Sequence, residues 1–257
     1  MVDGRALIPH FVRREVKARY LGSLSGLTWA FLHPLLQLAL YATVFVHIFG
    51  ARIPEAAEIG FVPYVATAFW AWILFAEGIS RAVPVITENA SLIGKVAMPT
   101  EVLVIASVLA TFAIHLLGFL LVIVLLALTG TSIHVTGLLW MLPVLLMLWV
   151  LTTGVGLMLA AAQVFVRDLS QIVQQRLAFG FFLTPILYTR TMLPEFARPL
   201  MGANPLTYYP EKLRAVLLHG QSAVGSADLL ALGVAVTSLI VGLVLFRRLS
   251  RHFEDFL

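Results

Sequence analysis

Trp29, His33, Gln37, Tyr41 and Phe45 recur every four residues, so neighbouring members share one face of a helix. Aromatic rings present flat apolar faces to the C–H sides of sugar rings. His33, Gln37 and Tyr41 exchange hydrogen bonds with hydroxyls without holding them tightly. Such a strip can line a path for a glycan. Helix–helix packing with polar groups as glue accounts for the same residues, since a spacing of four drifts by about 40° per step at ~3.6 residues per turn. Phe179, Phe182 and Tyr188 offer the same chemistry later in the chain, with ordinary apolar packing as the competing account. A second group is cationic. Arg13, Arg14, Lys17 and Arg19 stand where the phosphates of membrane lipid or of a lipid-linked substrate would meet them, although basic flanks also serve simple orientation and anchoring.

The missing chemistry is as informative. The chain has no GxxxxGK[ST], no GxGxxG after a strand, no HExxH and no GxSxG, so it carries no phosphate loop of its own and no familiar catalytic signature. The seven histidines, at 10, 33, 47, 115, 134, 219 and 252, lack ligand spacing, so no metal site is expected, and His115 reads as a packed, hydrogen-bonded core residue. Cysteine is absent, which excludes disulfides, thiolate metal sites and cysteine nucleophiles. Ionisable groups other than histidine fall at the ends of the apolar runs (Glu77, Glu101, Arg167, Arg176), which weighs against ion-coupled carriers with carboxylates near mid-membrane. No catalytic residue and no bound cofactor is expected.

The elements that position these residues follow from composition. Of 257 residues, 60% are hydrophobic and 12% charged, and the apolar residues come in blocks able to cross a hydrocarbon layer of ~30 Å. The long Leu/Val/Ala runs do not alternate, which favours helices over a barrel. The expected fold is an all-α integral membrane protein. Residues 1–26 form an amphipathic interfacial helix and a Gly/Ser turn, with Ile8, Phe11, Val12, Val16 and Tyr20 on one stripe. Residues 27–257 form a domain of six transmembrane helices, at about 27–49, 61–76, 102–128, 138–166, 172–188 and 229–246. No small-residue cleavage site follows the first run, which argues against a removable signal peptide. The stretch 189–226 holds four prolines and segments too short to span, so it is expected to contain re-entrant or interfacial helices before the last span.

Twelve of the 17 Lys and Arg residues lie in the segments expected on one side, which puts both termini in the cytoplasm. The net charge of +4 flanks apolar blocks instead of forming a patch, so membrane lipid and not nucleic acid is the expected surface partner. On the same side the stretch 81–99, bounded by Pro84 and Pro99, reads as a docking element. Its Glu88, Asn89, Leu92, Ile93 and Lys95, with Arg167 and Asp168 beyond the fourth span, are the candidate coupling residues.

The order of motifs resembles the type 2 ABC exporter permeases of the polysaccharide group, those for O-antigen, capsule and teichoic acid. The likeness begins with "RREVKARYLGSLSGLTWAFLHPLLQLALY" and continues through "FVPYVATAFWAW", "ENASLIGKVAMPTEVL", "FVRDL", "FFLTPILY" and "NPLTYYPEKLRAVLLHG". Gly94 stands where a second basic residue is common, and Met98 where an aromatic is common. The resemblance implies a homodimeric permease in a bacterial inner membrane, with two ATP-binding cassette subunits docked on its cytoplasmic face. ATP and Mg would then be bound by the partner, and a lipid-linked polysaccharide, O-antigen first, would pass between the first and fifth spans. Capsule or teichoic acid export, efflux of drugs or small lipids by a similar permease, and a membrane-embedded enzyme are the other readings.

Overall fold

The computed structural model describes residues 4–20, 26–48, 50, 53, 56, 57, 59–93 and 98–257, and no strand occurs among them. Helix α1 covers Gly4–Tyr20. Helix α2 covers Gly26–Ala42 and runs on as a π-helical turn, Thr43–Ile48. The central helix, α3, is Phe61–Ala82; Val65, Ala66, Ala68 and Leu74 on it have no exposed surface. Two single turns follow, α4 (Val85–Glu88) and α5 (Ala90–Ile93), meeting at Asn89. Then come α6 (Glu101–Leu128), α7 (Val135–Phe165) and α8 (Leu169–Leu183). After them come the short α9 (Arg198–Ala203), α10 (Tyr208–Leu218) and the long α11 (Ser226–Leu249). A 3-10 tail, Ser250–Asp255, ends the fold.

Among the described residues five helices are long and apolar enough to cross a membrane: Thr28–Ile48, Phe61–Ala82, Glu101–Leu128, Val135–Phe165 and Ser226–Asp255. They coincide with five of the six expected spans. The remaining one, expected at 172–188, is helical only as far as Leu183. At ~1.5 Å per residue its 15 residues reach about 22 Å, and the chain then bends through 184–188, because Pro185 removes an amide donor and disfavours helix at the residue before it. The second helix runs past its expected end at 76 to Ala82. The expected helical pattern within 81–99 resolves into α4 and α5, while Lys95 lies outside the described residues.

One end of the bundle carries α4, α5, the α7–α8 turn and the C-terminal tail; the other carries α10. At the α4 end, the buried Phe253 packs on Phe165 and Phe246, with ring centroids 6.1 and 5.5 Å away. The Arg247 Nε donates to Glu101 Oε1 at 3.1 Å. Phe253→Ala is expected to destabilise the fold by about 3–5 kcal/mol, the usual cost of emptying a phenylalanine site, read as a lower thermal unfolding midpoint in nanodiscs. Helix α1 lies along α6 and presents its half-buried Phe11, Val12 and Val16 inward. Helices α7 and α11 pack backbone to backbone. A Cβ on Gly154 would come 2.5 Å from the Leu239 amide nitrogen, and one on Gly242 would overlap the Gly154 carbonyl.

Candidate functional site

A groove of about 760 Å³ opens between α2, α3 and α8. Chain direction sorts its lining. Helices α2 and α8 start at the α4 end and α3 finishes there, so His33 and Gln37, then Gln174, then Glu77, Ser80 and Arg81 make that end polar. Further along, Tyr41, Phe69, Trp72, Phe181 and Phe182 make an aromatic wall. Tyr41 stacks on Phe181 with centroids 5.4 Å apart, and Phe69 meets both edge-on at 5.6 and 6.2 Å. Interlocked rings cannot turn independently, so the wall keeps its shape. Gly180 is required at its centre: a Cβ there would sit 2.8 Å from Trp72 Cη2.

Behind the polar end lies an ionic cluster. The Glu77 carboxylate accepts from the buried His115 Nε2 at 2.8 Å and pairs more loosely with Arg81 at 3.5 Å. His115 is further fixed through its carbonyl, which accepts from Trp70 Nε1 at 2.9 Å. The Arg19 guanidinium reaches in from α1 and donates to Thr111 Oγ1 at 2.7 Å, Ser107 Oγ at 2.9 Å and Glu15 Oε2 at 2.9 Å. A charge set among apolar helices persists only when its partners compensate desolvation, and each of these carboxylates faces a cation or an imidazole.

At the α10 end, the carbonyls left unpaired by the bend after α8 are met by side chains. Phe182 O accepts from the Tyr188 hydroxyl and Leu183 O from Asn204 Nδ2 at 3.2 Å. Pro185 O and Ile186 O each accept from the Arg214 guanidinium at 2.7 Å. Arg214, 4% exposed, also donates to Tyr64 O at 3.0 Å and lies 3.6 Å from the Tyr64 ring centroid. Beside it, Lys212 Nζ pairs with Asp228 at 2.8 Å, and the Tyr208 hydroxyl donates to the same carboxylate at 2.7 Å. Burial, reinforced by that carboxylate, holds the Tyr208 phenol far above its usual pKa.

Of the eight residues expected along a path, His33, Gln37, Tyr41 and Phe182 line the groove. Trp29 (56% exposed) and Phe179 (68% exposed) face outward, Phe45 stacks on Phe61 away from it, and Tyr188 caps α8. Among the four cationic candidates, Arg13 and Lys17 are exposed. Arg14 reaches Asn89 Oδ1 at 2.6 Å, and the Arg19 side chain, 9% exposed, is enclosed by the α6 contacts. Glu88, Arg167 and Asp168 are exposed at the α4 end, and Leu92 and Ile93 are half-buried against the core. The groove residues Phe69, Trp72, Ser80, Arg81, Gln174 and Phe181 were not among the expected sites, nor was Arg214. For Arg214 a signal existed: an arginine on the apolar face of "KLRAVLL" has to find partners.

Five long apolar helices and a side-opening groove graded from polar to aromatic define a multi-pass helical membrane protein. The profile of the ABC-2 type transporter family matches residues 7–218, and the chain belongs to that family. It is similar to the O-antigen export system permease protein RfbA of Myxococcus xanthus, 32% identical over 82% of this chain and 80% of that one. The protein of the same name from Klebsiella pneumoniae is 26% identical over 98% of this chain and 95% of its own. The polysialic acid transport protein KpsM of Escherichia coli is 23% identical over 91% and 90%.

Proposed function

We propose that this chain is the membrane-spanning subunit of an ABC exporter that moves a lipid-linked polysaccharide, O-antigen first, from the cytoplasmic to the outer side of a bacterial inner membrane. The observation that carries the reading is the groove: its aromatic wall suits the apolar faces of sugar rings, and its polar end suits hydroxyls and charged linkage groups. Family membership and relatives named for O-antigen export support it; the polysialic acid relative keeps capsule export as the second reading. Both termini are cytoplasmic in this reading, so the α4 end faces the ATP-binding partner.

The energy comes from that partner, which binds ATP and Mg, and α4, α5, Arg167 and Asp168 receive its motion. The permease works as a pair. Helix α8 exposes Gln171, Gln174, Gln175 and Arg176, side chains that lipid does not tolerate, and a second copy facing the groove would cover them and close the conduit.

Deleting the gene tests the reading. Loss of surface polysaccharide with accumulation of lipid-linked polymer inside, restored by the intact chain, is expected; normal surface polymer would end it. Within the groove, Tyr41→Ala is expected to lower surface polymer about 2- to 13-fold at unchanged permease level, the range that ~0.5–1.5 kcal/mol of lost aromatic contact corresponds to. Unchanged export in that variant would take Tyr41 off the path.

A further inference from the structure

The bend after α8 is held by side chains from the segment that follows it, and Arg214 holds most. One guanidinium, on α10, takes carbonyls on the two elements that continue into the groove walls: Pro185 O and Ile186 O beyond α8, and Tyr64 O in the first turn of α3. Within little more than two turns along those elements stand Phe181 and Phe182 on one side and Phe69 and Trp72 on the other, all groove-lining. We infer that Arg214 is a positioning residue for transport, a clasp by which the outer segment sets the gap between α3 and α8.

Three arguments support the clasp. The carbonyls at 185 and 186 are not bonded within the helix, so α8 carries no ladder of its own there, and its end is placed by whatever occupies them. The planar fork of arginine serves three acceptors on two elements at once, which a lysine ammonium on a flexible stem does not reproduce. Finally, α3 and α8 touch tightly at Gly180 and Trp72, so a displacement beyond that contact changes the gap instead of being absorbed by slack. When α10 shifts outward, the carbonyls go with it or are released; in both cases the aromatic wall opens at its outer end. Tyr188 and Asn204, each on one carbonyl of α8, are the weaker parts of the same fastening.

The inference rests on the groove being the path, but its test needs no polysaccharide. The absence of cysteine leaves a background-free reporter, Ala178→Cys, whose residue lines the groove on α8. The full chain carrying it is placed in nanodiscs and its labelling by a water-soluble maleimide is timed. Adding Arg214→Lys is expected to speed labelling roughly tenfold, the shift in open population that follows loss of charge-assisted hydrogen bonds, while elution volume stays that of the folded protein. In cells the same variant is expected to reach the membrane in normal amount and export less. Folded protein with unchanged labelling overturns the clasp and leaves Arg214 as scaffold only. If Arg214→Lys does not fold, Asn204→Ala replaces it, removing the bonds of that side chain to Leu183 O, Thr184 Oγ1 and Leu206 N; intermediate acceleration supports the clasp and an unchanged rate overturns it. Accelerated labelling together with normal surface polymer after gene deletion would keep the clasp and sink the polysaccharide reading.

Discussion

Gly154→Val is expected to remove the assembled permease from the membrane. At this position α7 and α11 pack backbone to backbone: a Cβ would lie 2.5 Å from the Leu239 amide nitrogen and overlap the Ser238 carbonyl, and Gly242 answers from α11 by resting on the Gly154 carbonyl. Small residues let transmembrane helices approach this closely, and packing, not the hydrophobic effect, then holds them together in lipid. The atoms a side chain would meet belong to peptide groups inside helices, which cannot rotate away as a flexible side chain would. Separation of the whole α7–α11 pair is the remaining response, at a cost above the ~1–3 kcal/mol typical of overpacking. Fluorescence-detected elution of the solubilised protein measures this, and a normal monodisperse peak for Gly154→Val would refute it. Gly233→Ala on α11 is the control, since nothing lies within 4 Å of the added Cβ. There the change is neutral or stabilising by up to ~1 kcal/mol, because glycine is a poor helix former.

Arg19→Leu is expected to free α1 and abolish export without loss of the spanning bundle. The guanidinium ties three groups, Glu15 on its own helix and Ser107 and Thr111 on α6. Among the described residues, removing it leaves Glu15 with the distant Arg14 at 4.0 Å, and breaking such a pair by deleting one partner costs roughly 3–5 kcal/mol. The predicted readout is faster tryptic cleavage at Arg13, Arg14 and Lys17, together with lost surface polymer. Arg19→Lys keeps the charge but loses the fork, so it falls between. Protection from trypsin and intact export in Arg19→Leu would show that α1 is held by its apolar stripe alone.

The contrast between Arg13, Arg14, Lys17 and Arg19 also shows what was legible in the sequence. Periodicity placed a helix at α1 with Phe11, Val12 and Val16 on its covered face, but four basic residues in one short segment look alike until α6 supplies Ser107 and Thr111 from some ninety residues away. The long helices were legible because a lipid-crossing run has to be apolar throughout, whatever it packs against. Glu77 looked like the exit of the second span and Arg81 like the start of the docking stretch. The helix continues to Ala82, and Glu77 on it finds His115, a partner that spacing does not reveal. The run from Ile172 to Tyr188 carries Gln174, Gln175 and Arg176 near its start, which makes it less apolar than the other runs, and Pro185 signals that its last turn is missing. On α2 the four-residue rhythm overstates the groove. Drift around the helix brings His33, Gln37 and Tyr41 to it and turns Trp29 and Phe45 aside. The walls on α3 were hidden by their own composition, since Phe69 and Trp72 look like any aromatic in a buried helix.

The glycine contact between α7 and α11 has a mechanical consequence. Two helices locked backbone to backbone bend far less than either alone, so together they behave as a strut. Helix α7 alone, with 31 residues at ~1.5 Å each, is about 46 Å long, with α4 bearing on one end and α10 seated on the other. A push delivered at α4 therefore arrives at α10 with little lost to flexing. The thinly covered α2 and α8 are the compliant parts, so in the proposed cycle the gap between α3 and α8 follows the shift of α10 while the strut stays straight.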